Sequence, residues 1–282
     1  MSELVDIVEL ISDYFVEGKE FDKEFYEKVI SIVTKEDSTK DYVLNFYVID
    51  SSNNNDPSLE KYCTGFHSLF ASGLYDSEDR ALVLYPIMMK YNAHQISKQM
   101  EFNSDEEKYM FENLLMLQTL LHELEHVKQH KLVDGDSDDL ESKILRAVES
   151  IKTPRTTSSY DYDPTERLAQ VRSYTKMKEI VSLLPFDLDK TKGYFSKMLR
   201  DELSHGYDEE ISSTKKFFSI LEASDKLDEV LGEHKVGNIK FSISGLFKHL
   251  SGEYRLRRDS ERVELGLPVS KEGLDAVIES KV

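Results

Sequence analysis

The stretch from Asp105 to Lys131 constrains this chain most. Its apolar residues recur at intervals of three and four through LLMLQTLLHELEHVKQ, which predicts one long helix. Ser104 is the natural N-cap, and Glu107 three residues on completes a capping box. That helix fixes His122 and His126 four residues apart, on the same face and about one turn from each other.

Elements of two kinds surround it. Val5, Val8, Leu10, Ile11 and Phe15, then Phe21, Phe25, Val29, Ile30 and Ile32, carry helical spacing through the first 35 residues. YVLNFYVID is β-branched and aromatic and is closed by SSNNNDPS, so a strand should end near Asp50. A second strand is expected at Ala81 to Tyr85, after a turn-like GLYDSED; Pro86 favours a strand end or an edge position there. Between Val133 and Tyr162, DGDSDD and KTPRTTSSYDYD flank LESKILRAVESI and predict a loop, a short helix and a second loop. Asp163, Pro164 and Glu166 then fit the N-cap, first and third positions of another helix, running to about Leu184. The remainder reads as mostly helical, with a turn around Gly232 to Asn238, a strand at Ile239 to Ser244 and a last helix after Ser270. The expected class is α+β, mostly helical, with a small sheet and additional helices at both ends. Three regions are expected: an N-terminal helical segment 1–40, a central domain 41–200 and a C-terminal helical extension 201–282.

Composition narrows the functional classes. The chain has 282 residues, with 54 Asp+Glu against 36 Lys+Arg and a net charge of −18. That balance argues against nucleic acid as a partner, because binding phosphates needs clustered cations. One cysteine, Cys63, rules out an internal disulfide and suits a reducing compartment. The first residues alternate acids with apolar side chains and lack a basic leader, and no apolar run approaches the roughly 20 residues of a membrane span. No membrane partner and a cytoplasmic location are therefore expected.

His-Glu-Leu-Glu-His, residues 122 to 126, carries the chemistry. Two imidazoles on one helix face can bind a single tetrahedral zinc, and Glu123 can reach the fourth position as general base. The same residues also fit the inverted order His-x-x-Glu-His, with Glu125 as base, although Glu125 reads better as a solvated or supporting carboxylate. Glu166 is the best third ligand, giving two His and one Glu with an open fourth position; a capping role would also explain it. Glu149, Asp161 and Asp163 are the other carboxylates to weigh.

At this point the chain resembles the gluzincins, metallopeptidases that pair His-Glu-x-x-His with a glutamate on a following helix. The resemblance covers roughly residues 80 to 180 and is similar to the minimal metallopeptidases of bacterial mobile elements and phages. It implies a zincin-like domain holding one Zn2+ per chain through His122, His126 and Glu166, with Glu123 as base. It also implies that Ala169 is the small residue where the two helices approach, and that ALVLYP is the edge strand receiving an extended peptide. Zinc-dependent hydrolysis of a peptide or protein substrate is the expected function. The alternative is a non-catalytic acidic binding or scaffold protein on the same fold.

Glu125 and Lys128 stand at usually uncharged positions of the extended signature and predict an exposed C-terminal end for the helix. Gln129 and Leu132 exclude the longer metzincin motif, and His130 lies a further turn along, beyond reach of the first ligands. An oxyanion needs a second donor: Tyr162 is the expected catalytic residue, with Tyr160 and His205 as alternatives. Arg167 and Arg172 can orient a carboxylate. DGDSDD lacks the closing glutamate of a calcium loop, and Cys63 lacks metal-binding neighbours, so it should be a buried thiol.

Overall fold

A computed structural model describes residues 3–50, 53, 56–63, 71–137, 142, 145–146 and 164–204. They form a mostly helical α+β structure with one three-stranded sheet. Chain contacts divide it into two compact units, Met1–Lys131 with Ala169–Leu199, and Leu132–Leu168 with Arg200–Val282.

The first unit begins with α1 (Glu3–Val16) and α2 (Lys23–Glu36). Asp22 caps α2 by accepting a hydrogen bond from the Phe25 amide at 3.0 Å, and Phe21 stacks on Phe25 with ring centroids 3.7 Å apart. A 3-10 turn at Lys40–Tyr42 leads into β1 (Asn45–Val48). A 3-10 turn at Pro57–Leu59 and the single turn α3 (Glu60–Cys63) follow, then β2 (Gly73–Asp76) and β3 (Ala81–Leu84).

The sheet order is β1-β3-β2, with β1 parallel and β2 antiparallel to β3. Two expectations change here. ALVLYP is the central strand, not an edge: all four residues of β3 are fully buried, and their unbroken apolar character suits a strand covered on both faces. GLYDSED is only partly a turn. Gly73–Asp76 is a strand, and the reversal itself is the Ser77–Arg80 connection, held by Asp76 Oδ1 accepting from the amides of Glu78 and Asp79 at 3.0 and 3.2 Å. Pro86 follows the strand end, as its first reading has it, and is also the first residue of α4 (Pro86–Ser97), a helix that the sequence reading lacks.

The long helix is α5 (Asp105–Asp134). Met110, Phe111, Leu114, Leu117, Leu120, Leu121, Leu124 and Val127 are all buried, and Leu115, Met116 and Gln118 on other faces are buried too. It is therefore surrounded, a core helix and not a surface one. Ser104 caps it as expected, accepting from the Glu107 amide at 3.1 Å. Glu107, itself buried, reaches back to the Asn103 amide at 3.2 Å. Its other oxygen accepts from the amides of Lys190 and Thr191, at 2.8 and 3.1 Å, at the start of a later helix, α7 (Asp189–Ser204).

Between them runs α6 (Pro164–Leu183), with Pro164 at its first position as expected. The division between units falls within α6, whose helix is continuous. Ala169, Tyr174, Met177, Ile180 and Val181 form its buried side. In the second unit, the Arg146 guanidinium donates to the carbonyls of Leu132, Gly135 and Ser137, closing the end of α5. Among the described residues, no helix is long and apolar enough to cross a membrane. The expected elements beyond residue 204 lie outside the described residues, as do most of the Val133 to Tyr162 segment and the cap Asp163.

Candidate metal centre

His122, His126 and Glu166 each offer one ligand atom, and these atoms all lie within 4.8 Å of one another. The helical spacing does the first part of this. Residues four apart bring the imidazoles of α5 together, with ring centroids 4.8 Å apart and planes at 83°. Their Nε2 atoms are 3.1 Å apart. In a tetrahedral zinc site with Zn–N near 2.0–2.1 Å, neighbouring ligand atoms stand about 3.3 Å apart, so the pair is spaced for a shared ion.

The donor chemistry fits as well. Two imidazole nitrogens and one carboxylate oxygen are borderline ligands that suit zinc, and three protein ligands leave a fourth position open. Glu166 and His122 are buried and His126 half-buried, so the cluster is sheltered from bulk water. Gln129, one turn below His126, engages the other ring nitrogen. Its Oε1 lies 2.9 Å from His126 Nδ1, an arrangement that leaves Nε2 facing His122 and open to a metal.

Glu123 is buried beside the first histidine, where β2 passes against it at Gly73. Tyr85, at the end of β3, is close enough to feel its charge. Burial first, then charges on Cys63 and Glu123, push the Tyr85 hydroxyl up to about 12, so it stays protonated and donates to the Tyr62 carbonyl at 2.9 Å.

Glu125 is placed quite differently. Of the two readings, a solvated or a supporting carboxylate, burial excludes the first: Glu125 is 1% exposed and Gln129 a turn later is also buried, so this end of the helix is not the exposed one expected. Lys128 and Lys176 approach its Oε1 at 3.2 and 3.3 Å, and Arg172 approaches Oε2 at 3.8 Å. Burial raises its carboxyl pKa, but the charges of Lys176, Lys128 and Arg172 together outweigh that and hold it below the ordinary value. Lys128 also pairs with Asp37 at 2.9 Å and Lys176 with Glu3 at 2.8 Å. This ion cluster binds α1, α2, α5 and α6 of the first unit, and Arg172 serves Glu125 within it.

His130 lies off the cluster, with Nδ1 2.7 Å from the Tyr75 hydroxyl of β2 and its ring against Tyr42. Ala169 is fully buried. Cys63 is half-buried against the sheet core, not fully buried as expected, and burial pushes its thiol pKa up. Tyr160, Tyr162, His205, Glu149, Asp161 and the side chain of Arg167 lie outside the described residues.

Gln129 and Gly73 were missed as site residues. The first carried a legible signal, a polar side chain three residues after a histidine on the same face; the second had none until β2 was registered against β3. No protein-family model, curated protein or solved structure matches the chain.

Proposed function

We propose that this chain is a zinc-dependent peptidase with a zincin-like domain, in which His122, His126 and Glu166 hold one Zn2+ and Glu123 is the general base. The observation that carries this reading is the convergence of those three ligand atoms within 4.8 Å, with Glu123 adjoining the first. A zinc ion in such a site supplies a Lewis acid and a water that gives up its proton near neutral pH. Glu123 would accept a proton from the attacking water as that water's oxygen bonds to the scissile carbonyl carbon, and would hand the proton to the leaving amine as the C–N bond breaks. Glu125 is a poor alternative base, because Lys128 and Lys176 hold its Oε1 and their charges, with that of Arg172, lower its basicity.

The substrate in this reading is a peptide in extended form. With ALVLYP at the centre of the sheet, β1 and β2 are the two edges among the described strands, and β2, whose Gly73 lies against Glu123, is the one that would receive it. A peptide laid along β2 would run past Gly73, beside Glu123. A single cysteine and strong negative charge suit action in the cytoplasm on proteins, not nucleic acids.

The test is elemental analysis for zinc on the parent, Glu166→Ala and Glu123→Gln, alongside cleavage of casein. The parent should hold one zinc and cleave, Glu123→Gln should hold zinc without cleaving, and Glu166→Ala should lose most of its zinc. A folded parent that takes up no zinc after resupply would sink this reading and favour a non-catalytic acidic binding protein.

A further inference from the structure

β2 passes close against the long helix at Gly73. A Cβ placed on Gly73 would stand 2.8 Å from Glu123 Cγ, 3.0 Å from Oε1 and 3.2 Å from Cδ. The first distance is closer than real Cβ contacts come, and all three nearest atoms belong to one side chain. Backbone conformation does not demand glycine here. Among the described residues Gly18 is the glycine with positive φ, so an alanine at 73 would meet no left-handed strain. Strands also tolerate alanine better than glycine.

Gly73 is fixed from several sides. It pairs with Leu84 in the antiparallel register, and the residue before it is tied twice: the Ser72 carbonyl accepts from the Tyr85 amide at 3.0 Å, and Ser72 Oγ accepts from Asn92 Nδ2 of α4 at 2.9 Å. Two residues on, Tyr75 fastens the same strand to α5 through His130. The strand therefore cannot easily back away, and any side chain added at 73 must displace Glu123.

From this we infer that Gly73 is a positioning residue for Glu123: its missing side chain is the space in which the carboxylate lies, and the register of β2 sets where that carboxylate points. Its catalytic meaning rests on the peptidase reading; the packing relation does not. Any residue larger than glycine at 73 turns Glu123 aside while leaving both histidines in place.

A double-mutant cycle on the full, metal-stripped chain tests the packing: the parent, Gly73→Ala, Glu123→Ala and the double variant, compared by thermal unfolding. Gly73→Ala should lower Tm by several degrees in the parent, and should leave it unchanged or raise it once Glu123 is alanine. Equal losses in both backgrounds, or no loss in the parent, would overturn the inference. A second measurement uses zinc-loaded protein and casein. Gly73→Ala should keep its zinc and its KM and lose at least tenfold in kcat, and adding Glu123→Asp, one methylene shorter, should recover part of that loss. Parental kcat in Gly73→Ala would also overturn it. If the parent neither binds zinc nor cleaves casein, the peptidase reading falls on that measurement, whereas the unfolding cycle still decides whether Gly73 seats Glu123.

Discussion

Gln129 Oε1 and His126 Nδ1 lie 2.9 Å apart, and that bond leaves Nε2 of the imidazole facing His122 and open to a metal. Gln129 sits on the same helix and is buried, so the bond is held in place instead of being exchanged with water. Supporting bonds of this kind are typically worth about 10–100-fold in metal affinity. Gln129→Leu should therefore weaken zinc binding by roughly that factor while the fold is retained, measured by competition with a chromophoric chelator. Unchanged affinity would mean that His126 is oriented by something else.

Zinc should also stabilise the protein. Free zinc at 100 times its Kd would add about 2.7 kcal/mol to the folded state if the unfolded chain does not bind it. Urea unfolding with zinc and with chelator should differ by that order in the parent and by little in Glu166→Ala. A similar gain in the variant would remove Glu166 from the ligand set.

Glu125 predicts a pH signature. Its folded pKa is held below the ordinary 4.5, since Lys176, Lys128 and Arg172 outweigh the opposing effect of burial. A depressed carboxylate contributes stability that is present above its unfolded pKa and is lost as pH falls through the folded value. Glu125→Gln should thus be much less stable than the parent near neutrality, by on the order of 3 kcal/mol, because three cations lose their buried counter-charge. The gap should close as the pH is lowered past 4.5. A gap independent of pH in urea titrations would show that packing, not charge, explains the loss.

Glu107 caps two helices at once. It takes the Asn103 amide at the start of α5 and the amides of Lys190 and Thr191 at the start of α7. Glu107→Ala removes the shared acceptor of these amides, leaving the buried Thr191 amide without it, and should cost on the order of 3 kcal/mol. Hydrogen exchange should quicken at both helix starts together; faster exchange at α5 alone would show that α7 is capped by other means.

Periodicity read the helices well because their signals are local. The cap at Ser104, the proline opening α6 and the four-residue step from His122 to His126 each depend on residues within a turn or two. The sheet was harder. β3 was legible as a strand, but its place at the centre depends on β1 arriving from a distant part of the chain and on a second strand lying within GLYDSED, and Pro86, which fits a strand end or an edge equally, does not say which. Glu125 shows the same limit in the site. Nothing adjacent says that it will be buried, because two of its three cations, Arg172 and Lys176, come from α6.

The two edges of the sheet also differ in when they can form. β2 and β3 are neighbours in the chain, joined by a short reversal, so their pairing requires closing only a small loop. β1 must pair in parallel, Asn45 against Ala81, across a much longer excursion. Loop-closure entropy therefore orders assembly: the hairpin comes first and the third strand docks onto it later. Gly73 belongs to the early piece, so the seat for Glu123 can be built before the sheet is complete.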